Sequence, residues 1–508
     1  MNKPLEVVIV GGGTAGWMSA AGLVGGLKPG QARVRLVESD DIGTVGVGEA
    51  TLPQMRAFND HIGIVEAEMM RATNATFKLG IEFRDWGFKG SSYVHPFGTH
   101  GHPMGGVGFH HQWARARLAG QAADLGDYSY AIVASRRNRF EFPSPDRSDI
   151  ASTYDHAYHF DAGLYARYLR GWCEARGLTR TEGKVMEVRL DPTSGDVAAI
   201  VLESGEVITG DLFIDCSGFR GLIIGGALNG SFEDWTRWLP CDRALAVPTE
   251  RSEDFTPYTR STALEAGWQW RIPLQHRTGN GYVYSSSFIS DDEAVARLMG
   301  NLDGAPLAEP KPIRFKSGRR TASWTKNCIA VGLASGFLEP LESTSIYLTQ
   351  VAVLTLLELL PRRPIDPVLA EEFNRVVDNE YDRVRDFLIL HYKANSRTDS
   401  ELWRHCREME IPDTLQEKMA LFGHRGHIAQ YKDGLFSPPS WLSVFVGQGM
   451  APKGYHPMAD SLPLDVVLTE MEALRQRISD RVDAMPDHAA FVQDYCAGAA
   501  PLKAGGRA

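Results

Sequence analysis

The first forty residues contain a short apolar run, a stretch of small residues and a second apolar run. Leu5–Val10 is rich in β-branched residues and leads into glycines, residues 14–27 are mostly small or apolar, and residues 34–37 are apolar apart from Arg35. Short continuous apolar runs are typical of strands that are buried on both faces of a parallel sheet. The pattern therefore predicts one βαβ unit of about 30 residues.

Farther along, the period of the apolar positions changes. Residues 184–214 alternate as strands do, whereas residues 346–425 carry helical patterns, with 371–390 as the longest example. Residues 96–112 are rich in Gly, His and Pro and predict an irregular loop, and the small, polar residues 499–508 predict a frayed end. The pattern predicts an α/β region followed by a mostly helical one.

Composition narrows the class of protein. The 508 residues can bury one large core or two to three linked ones, and 43% hydrophobic with 23% charged residues is typical of a globular protein. A formal net charge of -10 argues against a nucleic-acid surface. The six cysteines contain no CxxC pair, which predicts free thiols in a reducing compartment and no zinc or other metal site.

The chain carries no pattern that predicts export or membrane insertion. Residues 7–10 are too few for the apolar part of a signal peptide, and they lead directly into glycines. The longest apolar stretch, residues 346–360, is interrupted by polar side chains and predicts a buried helix. The expected location is the cytoplasm, with no nucleic acid or membrane as a partner.

A glycine-rich turn, Gly11-Gly-Gly13-Thr-Ala-Gly16, joins the first predicted strand to the helix. Gly11 allows a tight turn, Gly13 lets a pyrophosphate approach the helix N-terminus, and Gly16 lets helix and strand pack closely. Glu38 closes the second predicted strand, where a carboxylate can accept hydrogen bonds from a ribose. Strand, spacing and acidic residue together predict a dinucleotide site, with a purely structural turn as the alternative.

Two further segments favour FAD over NAD as the dinucleotide. Residues 211–218 form an apolar strand that ends in small residues, a pattern with which FAD-binding folds return to the nucleotide. Residues 46–51 add a compact turn, which contains Glu49 and Ala50, near the same edge. FAD is therefore the predicted cofactor.

The segment Leu-Glu-Pro-Leu-Glu-Ser-Thr-Ser at 338–345 places Glu342 directly before a predicted helix. The free backbone N–H groups of a helix start can bind an anion, and a carboxylate beside them can act as a general base. Together with a dinucleotide site, this arrangement suggests flavin chemistry on a small anion. The alternative is a carboxylate that interacts only with the helix dipole.

Three other features each allow two interpretations. Lys78 lies in a small, apolar segment; taken alone it is interpreted as a lysine whose head reaches water, with a functional lysine as the alternative. Trp268 and Trp270 share one face of a strand and predict either core packing or a functional wall. His95-Pro-Phe97 predicts a turn with an aromatic anchor or a substrate wall.

Together these motifs resemble the flavin-dependent halogenases, specifically the tryptophan-halogenase-like group. The tryptophan motif and the Glu-Ser-Thr turn are specific to this group, whereas the glycine motif is not. The resemblance runs from the N-terminus to about residue 350. The matching segments are residues 11–16, 46–51, Lys78, residues 95–98, Trp268-x-Trp270-x-Ile272-Pro273 and residues 337–344.

The resemblance implies an α/β fold in two parts. Residues 1–345 form a Rossmann-like FAD-binding domain with β-sheets, of the GR2/aromatic-hydroxylase type, with inserted substrate-side loops around 90–150. Residues 346–508 form a mainly helical substrate-binding region. The implied ligands are FAD, received as FADH2 by diffusion from a separate flavin reductase, a chloride or bromide ion, and a small aromatic substrate. A homodimer is compatible with the resemblance.

The resemblance also assigns roles. Reduced FAD, oxygen and halide yield hypohalous acid, which reaches Lys78 through a tunnel and is held there by a hydrogen bond or as a haloamine. Glu342 orients the electrophile and helps to remove the ring proton, while the N–H groups of Thr344 and Ser345 hold the halide. The implied cofactor residues are Gly11, Gly13, Thr14, Ala15, Gly16, Glu38, Glu49, Ala50, Val185, Leu333 and Ile346. The implied substrate and tunnel residues are His95, Phe97, Trp268, Trp270, Ser343 and Trp441.

Two departures from known patterns refine this interpretation. Leu333 stands where FAD monooxygenases carry the aspartate of a Gly-Asp turn, which disfavours an aromatic hydroxylase, the first alternative function; a non-catalytic flavin-binding protein is the second. Residues 421–450 lack the tyrosine pair with which halogenases of free tryptophan hold the amino-acid group, and Tyr431 stands alone. Indole or an indole derivative is therefore the expected substrate, with His95, Phe97 and Trp441 as walls that stack on its ring.

Overall fold

The computed structural model describes residues 3–41, 48–251 and 255–498. The predicted frayed end, residues 499–508, and the first two residues of the 46–51 turn lie outside this description. The strands are β1 (Leu5–Val10), β2 (Ala32–Glu38), β3 (Gly48–Ala50), β4 (Thr76–Lys78), β5 (Gly80–Arg84), β6 (Ser92–Pro96), β7 (Ala157–Asp161), β8 (Thr179–Glu182), β9 (Val185–Leu190), β10 (Val197–Leu202), β11 (Val207–Thr209), β12 (Leu212–Asp215), β13 (Phe232–Asp234), β14 (Arg243–Thr249), β15 (Thr259–Leu264), β16 (Gly267–Pro273), β17 (Thr278–Tyr284), β18 (Lys311–Arg314), β19 (Gly318–Arg320), β20 (Trp324–Thr325), β21 (Cys328–Ala330) and β22 (Gly336–Phe337).

Helices alternate with the strands in the first half of the chain and dominate after residue 344. They are α1 (Thr14–Gly26), α2 (Gln54–Ile62), α3 (Glu66–Thr73), α4 (Phe109–Leu118), α5 (Tyr130–Arg136), α6 (Ala162–Glu174), α7 (Asp291–Gly300), α8 (Thr344–Glu358), α9 (Pro367–Lys393), α10 (Glu401–Glu408), α11 (Asp413–Arg425), α12 (Pro438–Gly447), α13 (Leu464–Asp483) and α14 (His488–Ala497). The predicted strands in 184–214 and helices in 346–425 are confirmed.

The central sheet has the strand order β20-β21-β12-β1-β2-β8, and β1 pairs in parallel with both β2 and β12. Leu5 lies opposite Ala32 and Val10 opposite Val37, so the βαβ unit is confirmed, with β2 two residues longer at its start than predicted. The carboxyl ends of β1, β2 and β12 open beside the N-terminus of α1. Ligands of open α/β sheets bind at this edge.

Two other sheets carry further candidate site residues. A seven-stranded sheet, β18-β14-β17-β16-β15-β5-β6, is antiparallel except where β15 pairs with β5, and it contains Trp268, Trp270 and His95. A three-stranded sheet, β3-β7-β4, carries Glu49 on β3 and Lys78 on β4. The mixed α/β architecture agrees with the predicted fold class.

One sequence prediction is wrong over part of its length. Residues 96–112 contain the end of β6 and the start of α4, so that the irregular segment is shorter than predicted. Phe109, Trp113 and Ala116 are buried at helical spacing, which stabilises α4 although the local composition favours a loop. The apolar face outweighs the weak helix propensity of the neighbouring histidines.

The helical second half shares its core with the first half. Apolar side chains from both sides of residue 345, including Ile9, Trp17, Leu356 and Phe387, belong to one buried cluster. Helix α8 packs directly against α1. The division into two domains at residue 345 stays a prediction. None of the helices in the described ranges has both the length and the apolar character that a membrane crossing requires.

We expect Gly22→Ala to destabilise the fold, because a Cβ at this position on α1 would collide with Cγ1 of Val353 on α8. Overpacking costs about 1–3 kcal/mol, and a β-branched neighbour is stiff at χ1. The free energy of urea unfolding should fall by about this amount, less the roughly 0.5–1 kcal/mol by which Ala favours a helix over Gly. Gly171→Ala in α6, with open space around its Cβ position, is the matched control and should not destabilise. Equal unfolding free energies for both variants would contradict close packing of α1 on α8.

Candidate active site

A cavity of about 470 Å³ lies at the carboxyl edge of the central sheet, and we refer to it as the sheet-edge cavity. Of the eleven predicted cofactor residues, ten line it, and Gly16 lies behind the glycine turn. The ten are Gly11, Gly13, Thr14, Ala15, Glu38, Glu49, Ala50, Val185, Leu333 and Ile346. Strands far apart in sequence thus bring these residues to one site.

The glycine turn is shaped so that only glycine fits at several positions. Gly11 has φ +113°, and a Cβ there would strike the backbone oxygen of Cys216. A Cβ on Gly12 would strike the Glu38 carboxylate, and one on Gly16 would strike the Gly11 oxygen. Helix α1 begins without a side-chain cap, so the N–H groups of its first turn remain available to an anion.

Two carboxyl groups face the sheet-edge cavity. Glu38 is held by Arg180 Nε at 2.6 Å, with Arg170 at 3.7 Å, which fixes the orientation of its carboxylate. Glu49 also lines the cavity, and burial raises the pKa of its carboxyl to about 7. The cavity therefore contains one anchored carboxylate and one carboxyl group that changes its protonation near neutral pH.

Lys78 is completely buried, so the interpretation of this residue as a lysine that reaches water is wrong. Its Nζ donates hydrogen bonds to the Thr51 backbone oxygen at 2.9 Å and to Ser343 Oγ at 2.8 Å. The Nζ atom also lies 5.0 Å from the centre of the Phe97 ring. Burial lowers the pKa of the ammonium to about 7, although the negative charge of Glu342 opposes this shift.

Glu342 is equally buried and lies in a short turn, Pro340–Glu342, directly before α8. Its Oε2 accepts a hydrogen bond from His95 Nδ1 at 2.8 Å, and its Oε1 lies 2.8 Å from His391 Nε2 without the alignment of a hydrogen bond. Burial alone would raise the pKa of this carboxyl, but the two histidines lower it to about 2. Glu342 is therefore a carboxylate at neutral pH.

Ser343 connects these two groups. It adopts the left-handed conformation, with φ 60°, which costs a non-glycine residue on the order of 1 kcal/mol. In this conformation its hydroxyl reaches Lys78, while Glu342 next to it faces the two histidines. Helix α8 starts at Thr344 without a side-chain cap, and Ser345 lines the sheet-edge cavity. The free N–H groups of this helix start can bind an anion.

A second cavity, of about 350 Å³, is lined by His95, the residue that donates to Glu342, and we refer to it as the side cavity. His95, Phe97 and Phe436 contribute to its wall. Trp441 does not line it: its indole contacts Phe387 at 4.9 Å between ring centres and donates to the Phe436 backbone oxygen at 3.2 Å. Trp441 is buried on α12, and its role as a substrate wall stays a prediction.

The tryptophan halogenase profile matches residues 6–464 of the sequence. The chain belongs to the tryptophan halogenase family. BrvH, a flavin-dependent halogenase from Brevundimonas sp. BAL3, is 47% identical and superimposes with a TM-score of 0.94 over 97% of this chain and 100% of its own. A flavin-dependent halogenase from Xanthomonas campestris is 46% identical, with a TM-score of 0.94 over 98% and 100% of the two chains. Tryptophan 6-halogenase SttH from Streptomyces toxytricini is 36% identical over 96% of this chain and 97% of its own.

The predicted family and enzyme class are thus confirmed, and the chain is a flavin-dependent halogenase. The sheet-edge cavity fits the FAD of such an enzyme. Its glycine turn leaves room for a pyrophosphate beside free N–H groups, and the anchored Glu38 closes the adjacent strand. Gly332 has φ +66°, and a Cβ there would strike Ala15, so glycine at this position lets the segment before Leu333 approach the start of α1.

Sequence reasoning missed three residues at the centre of this halogenase. His391, which contacts Glu342, lies within a long helix, where nothing distinguishes it from a core histidine. Phe436 lines the side cavity and stacks on Phe387 at 3.8 Å between ring centres. Glu339 belongs to the matched motif but was given no role. The repeated Leu-Glu-Pro-Leu-Glu pattern, with two carboxylates three residues apart, was the signal available for it.

Proposed function

We propose that this halogenase uses FADH2, oxygen and chloride or bromide to halogenate an electron-rich aromatic ring, that of indole or an indole derivative, at Lys78 and Glu342. The buried ammonium–carboxylate pair carries this proposal. Ser343, which accepts a hydrogen bond from Lys78, lines the sheet-edge cavity, and His95, which donates to Glu342, lines the side cavity. Two oppositely charged groups without access to water can hold and direct one reactive molecule.

The sheet-edge cavity is the proposed flavin side. The ten lining residues and Gly16 hold FAD, with its pyrophosphate at the start of α1 and a ribose at Glu38. Bound FADH2, delivered by a separate reductase, supplies hypohalous acid from oxygen and halide. The N–H groups of Thr344 and Ser345 hold the halide ion at the start of α8. Trp268 and Trp270 line the same cavity and keep the aromatic substrate away from the flavin.

On the substrate side, Lys78 receives the hypohalous acid and presents its halogen to the ring. The bond between the halogen and oxygen, or nitrogen in a haloamine, breaks as the new carbon–halogen bond forms. The ring carbon then loses its proton. A protonated aromatic ring is a far stronger acid than a carboxylic acid, so the Glu342 carboxylate can take this proton in spite of its low pKa.

The side cavity favours an aromatic molecule without a carboxylate. Among the described residues that line it there is no lysine or arginine, so the carboxylate of free tryptophan would lack a cationic partner. Phe97 and Phe436 offer aromatic faces instead. Tyr431 does not replace the tyrosine pair of free-tryptophan halogenases, because its ring already contacts two cations of the chain. The ring centre lies 3.9 Å from Lys418 Nζ and 3.7 Å from Arg383 Cζ.

The test supplies reduced FAD, oxygen and either bromide or chloride, with indole or free tryptophan as substrate, and identifies products by mass. We expect halogenated indole, and at least about tenfold less product from tryptophan, which corresponds to one lost charged hydrogen bond. Hydroxylated indole without halogen would overturn the proposed reaction. Equal turnover of tryptophan would overturn the proposed substrate class alone.

The pH profile of halogen transfer should show the ionisation of Lys78 near pH 7. A rate that rises through this pH identifies the neutral amine and a haloamine, whereas a falling rate identifies the ammonium and a hydrogen-bonded acid. Because the Glu342 charge raises the pKa of Lys78, the residual inflection in Glu342→Gln should move to lower pH. Single-turnover product formation provides the measurement. An inflection that stays in place belongs to another group, such as the Glu49 or Glu339 carboxyl.

A further inference from the structure

Glu339 is a second buried carboxylate in the turn, three residues before Glu342. Its Oε2 accepts hydrogen bonds from Trp268 Nε1 at 2.7 Å and from the Tyr392 hydroxyl at 2.6 Å. Its Oε1 has no hydrogen-bond partner within the described part of the chain. The group is completely buried and lies outside the reaction described above.

Three elements meet at this carboxylate. The segment of residues 336–345, here the linking segment, supplies Glu339; β16 supplies Trp268; and the end of α9 supplies Tyr392. The residue before Tyr392 is His391, which contacts Glu342. Two consecutive residues of α9 thus contact the two carboxylates of the linking segment: His391 contacts Glu342, and Tyr392 contacts Glu339.

The same segment forms part of the flavin side. Leu338, Pro340 and Leu341 line the sheet-edge cavity, as does Trp268, which Glu339 holds by its indole nitrogen. Any displacement of Glu339 would therefore move one wall of this cavity together with the turn that carries Glu342. Glu339 therefore links the wall of the sheet-edge cavity to the position of Glu342.

Stability alone gives no reason for a carboxylate at this position. A buried carboxyl group is costly unless it is fully hydrogen-bonded, and well-packed apolar residues often replace buried polar groups without loss of stability. Here one oxygen remains unpartnered, and burial raises the pKa of the group to about 7. The titratable groups facing it are Tyr392, Cys241 and Cys406. What the carboxylate does provide is direction, because it orients two donors from two different elements.

We propose that Glu339 is a positioning residue that fixes Trp268 and the linking segment against each other, so that hypohalous acid reaches Lys78 instead of escaping into solution. This inference rests on the proposed function. It assigns to Glu339 the coupling between flavin oxidation and ring halogenation, and no contact with substrate or halide.

The test compares Glu339→Gln with Glu380→Gln, since Glu380 is another largely buried carboxylate that accepts a tyrosine hydrogen bond, from Tyr347 at 2.9 Å. Halogenated indole and hypohalous acid trapped by added monochlorodimedone are both measured per FADH2 oxidised. In Glu339→Gln the amide oxygen can still accept both hydrogen bonds but lacks the charge that strengthens them, so we expect the indole product to fall about tenfold while the trapped fraction rises. The ratio in Glu380→Gln should remain unchanged, and all assays use saturating FAD, set from flavin fluorescence, so that a moved cavity wall does not alter the ratio through cofactor binding.

A merely structural role would lower flavin oxidation, product and trapped acid together, and this result would overturn the inference. Tyr392→Phe removes one donor and keeps the fold testable where Glu339→Gln does not fold. The effects of Glu339→Gln and Trp268→Phe on the product ratio should not add, because both act through one hydrogen bond. Wild-type enzyme that oxidises FADH2 without halogenating any aromatic substrate would instead contradict the proposed function itself.

Discussion

Lys78→Ala is expected to abolish halogenation of indole and leave FAD bound. The loss should be on the order of 10⁴-fold, the upper range for a side chain that holds or moves a proton in the reacting complex. The Lys78 ammonium faces both Ser343 and the charge of Glu342, and Lys78 is not among the residues that line the sheet-edge cavity. FAD binding and the rate of FADH2 oxidation should therefore stay within about twofold, as for an uncoupled, distant site.

The measurement pairs product mass with flavin fluorescence. Lys78→Met keeps most of the side-chain volume. Its comparison with Lys78→Ala therefore shows whether the effect comes from the lost charge or from the cavity that Ala leaves. Lys393→Met is the matched control, because Lys393 also donates to two oxygens, those of Arg407 and Met409, away from both cavities. Halogenation that survives in Lys78→Met would contradict the proposed role. Loss of FAD from the Lys78 variants would assign a structural role instead.

Much of the fold could be predicted from the sequence because its signals are local. The βαβ unit follows from two apolar runs and a glycine turn within forty residues, and the helices after residue 344 follow from their periodicity. Where composition and packing disagreed, as at α4, packing decided the outcome. Local patterns do not record which face another element will cover.

The candidate site depends on contacts between residues far apart in sequence. Lys78 meets Ser343 across 265 positions, and His95 meets Glu342 across 247. The small, apolar neighbours of Lys78 left open whether its head group reaches water, and nothing near Trp441 in the sequence indicates that its ring will face the core. Resemblance to a family brought Lys78 and Glu342 together before the fold was known, which local physics could not do.

Glu342→Gln is expected to reduce halogen transfer by about 10²–10⁴-fold, the range for loss of a group that takes a proton. The amide retains an oxygen that can accept the His95 hydrogen bond, so the turn should keep its shape, but the amide carries no charge and cannot take the ring proton. Flavin oxidation should continue at close to the wild-type rate, because Glu342 does not line the sheet-edge cavity. Stopped-flow absorbance follows the flavin and quenched samples follow the product.

A double variant that combines Lys78→Ala with Glu342→Gln tests whether Lys78 and Glu342 act in one step. Groups that serve the same step are strongly non-additive, so the double variant should halogenate no more slowly than Lys78→Ala alone. If the rate losses of the two single variants multiply in the double variant, Glu342 acts in a separate step, such as formation of hypohalous acid on the flavin side. Slow flavin oxidation in Glu342→Gln would point the same way, because the carboxylate would then act before halogen reaches Lys78. The low pKa of Glu342 favours the single-step outcome, since a permanent carboxylate beside Lys78 has its partner already in place.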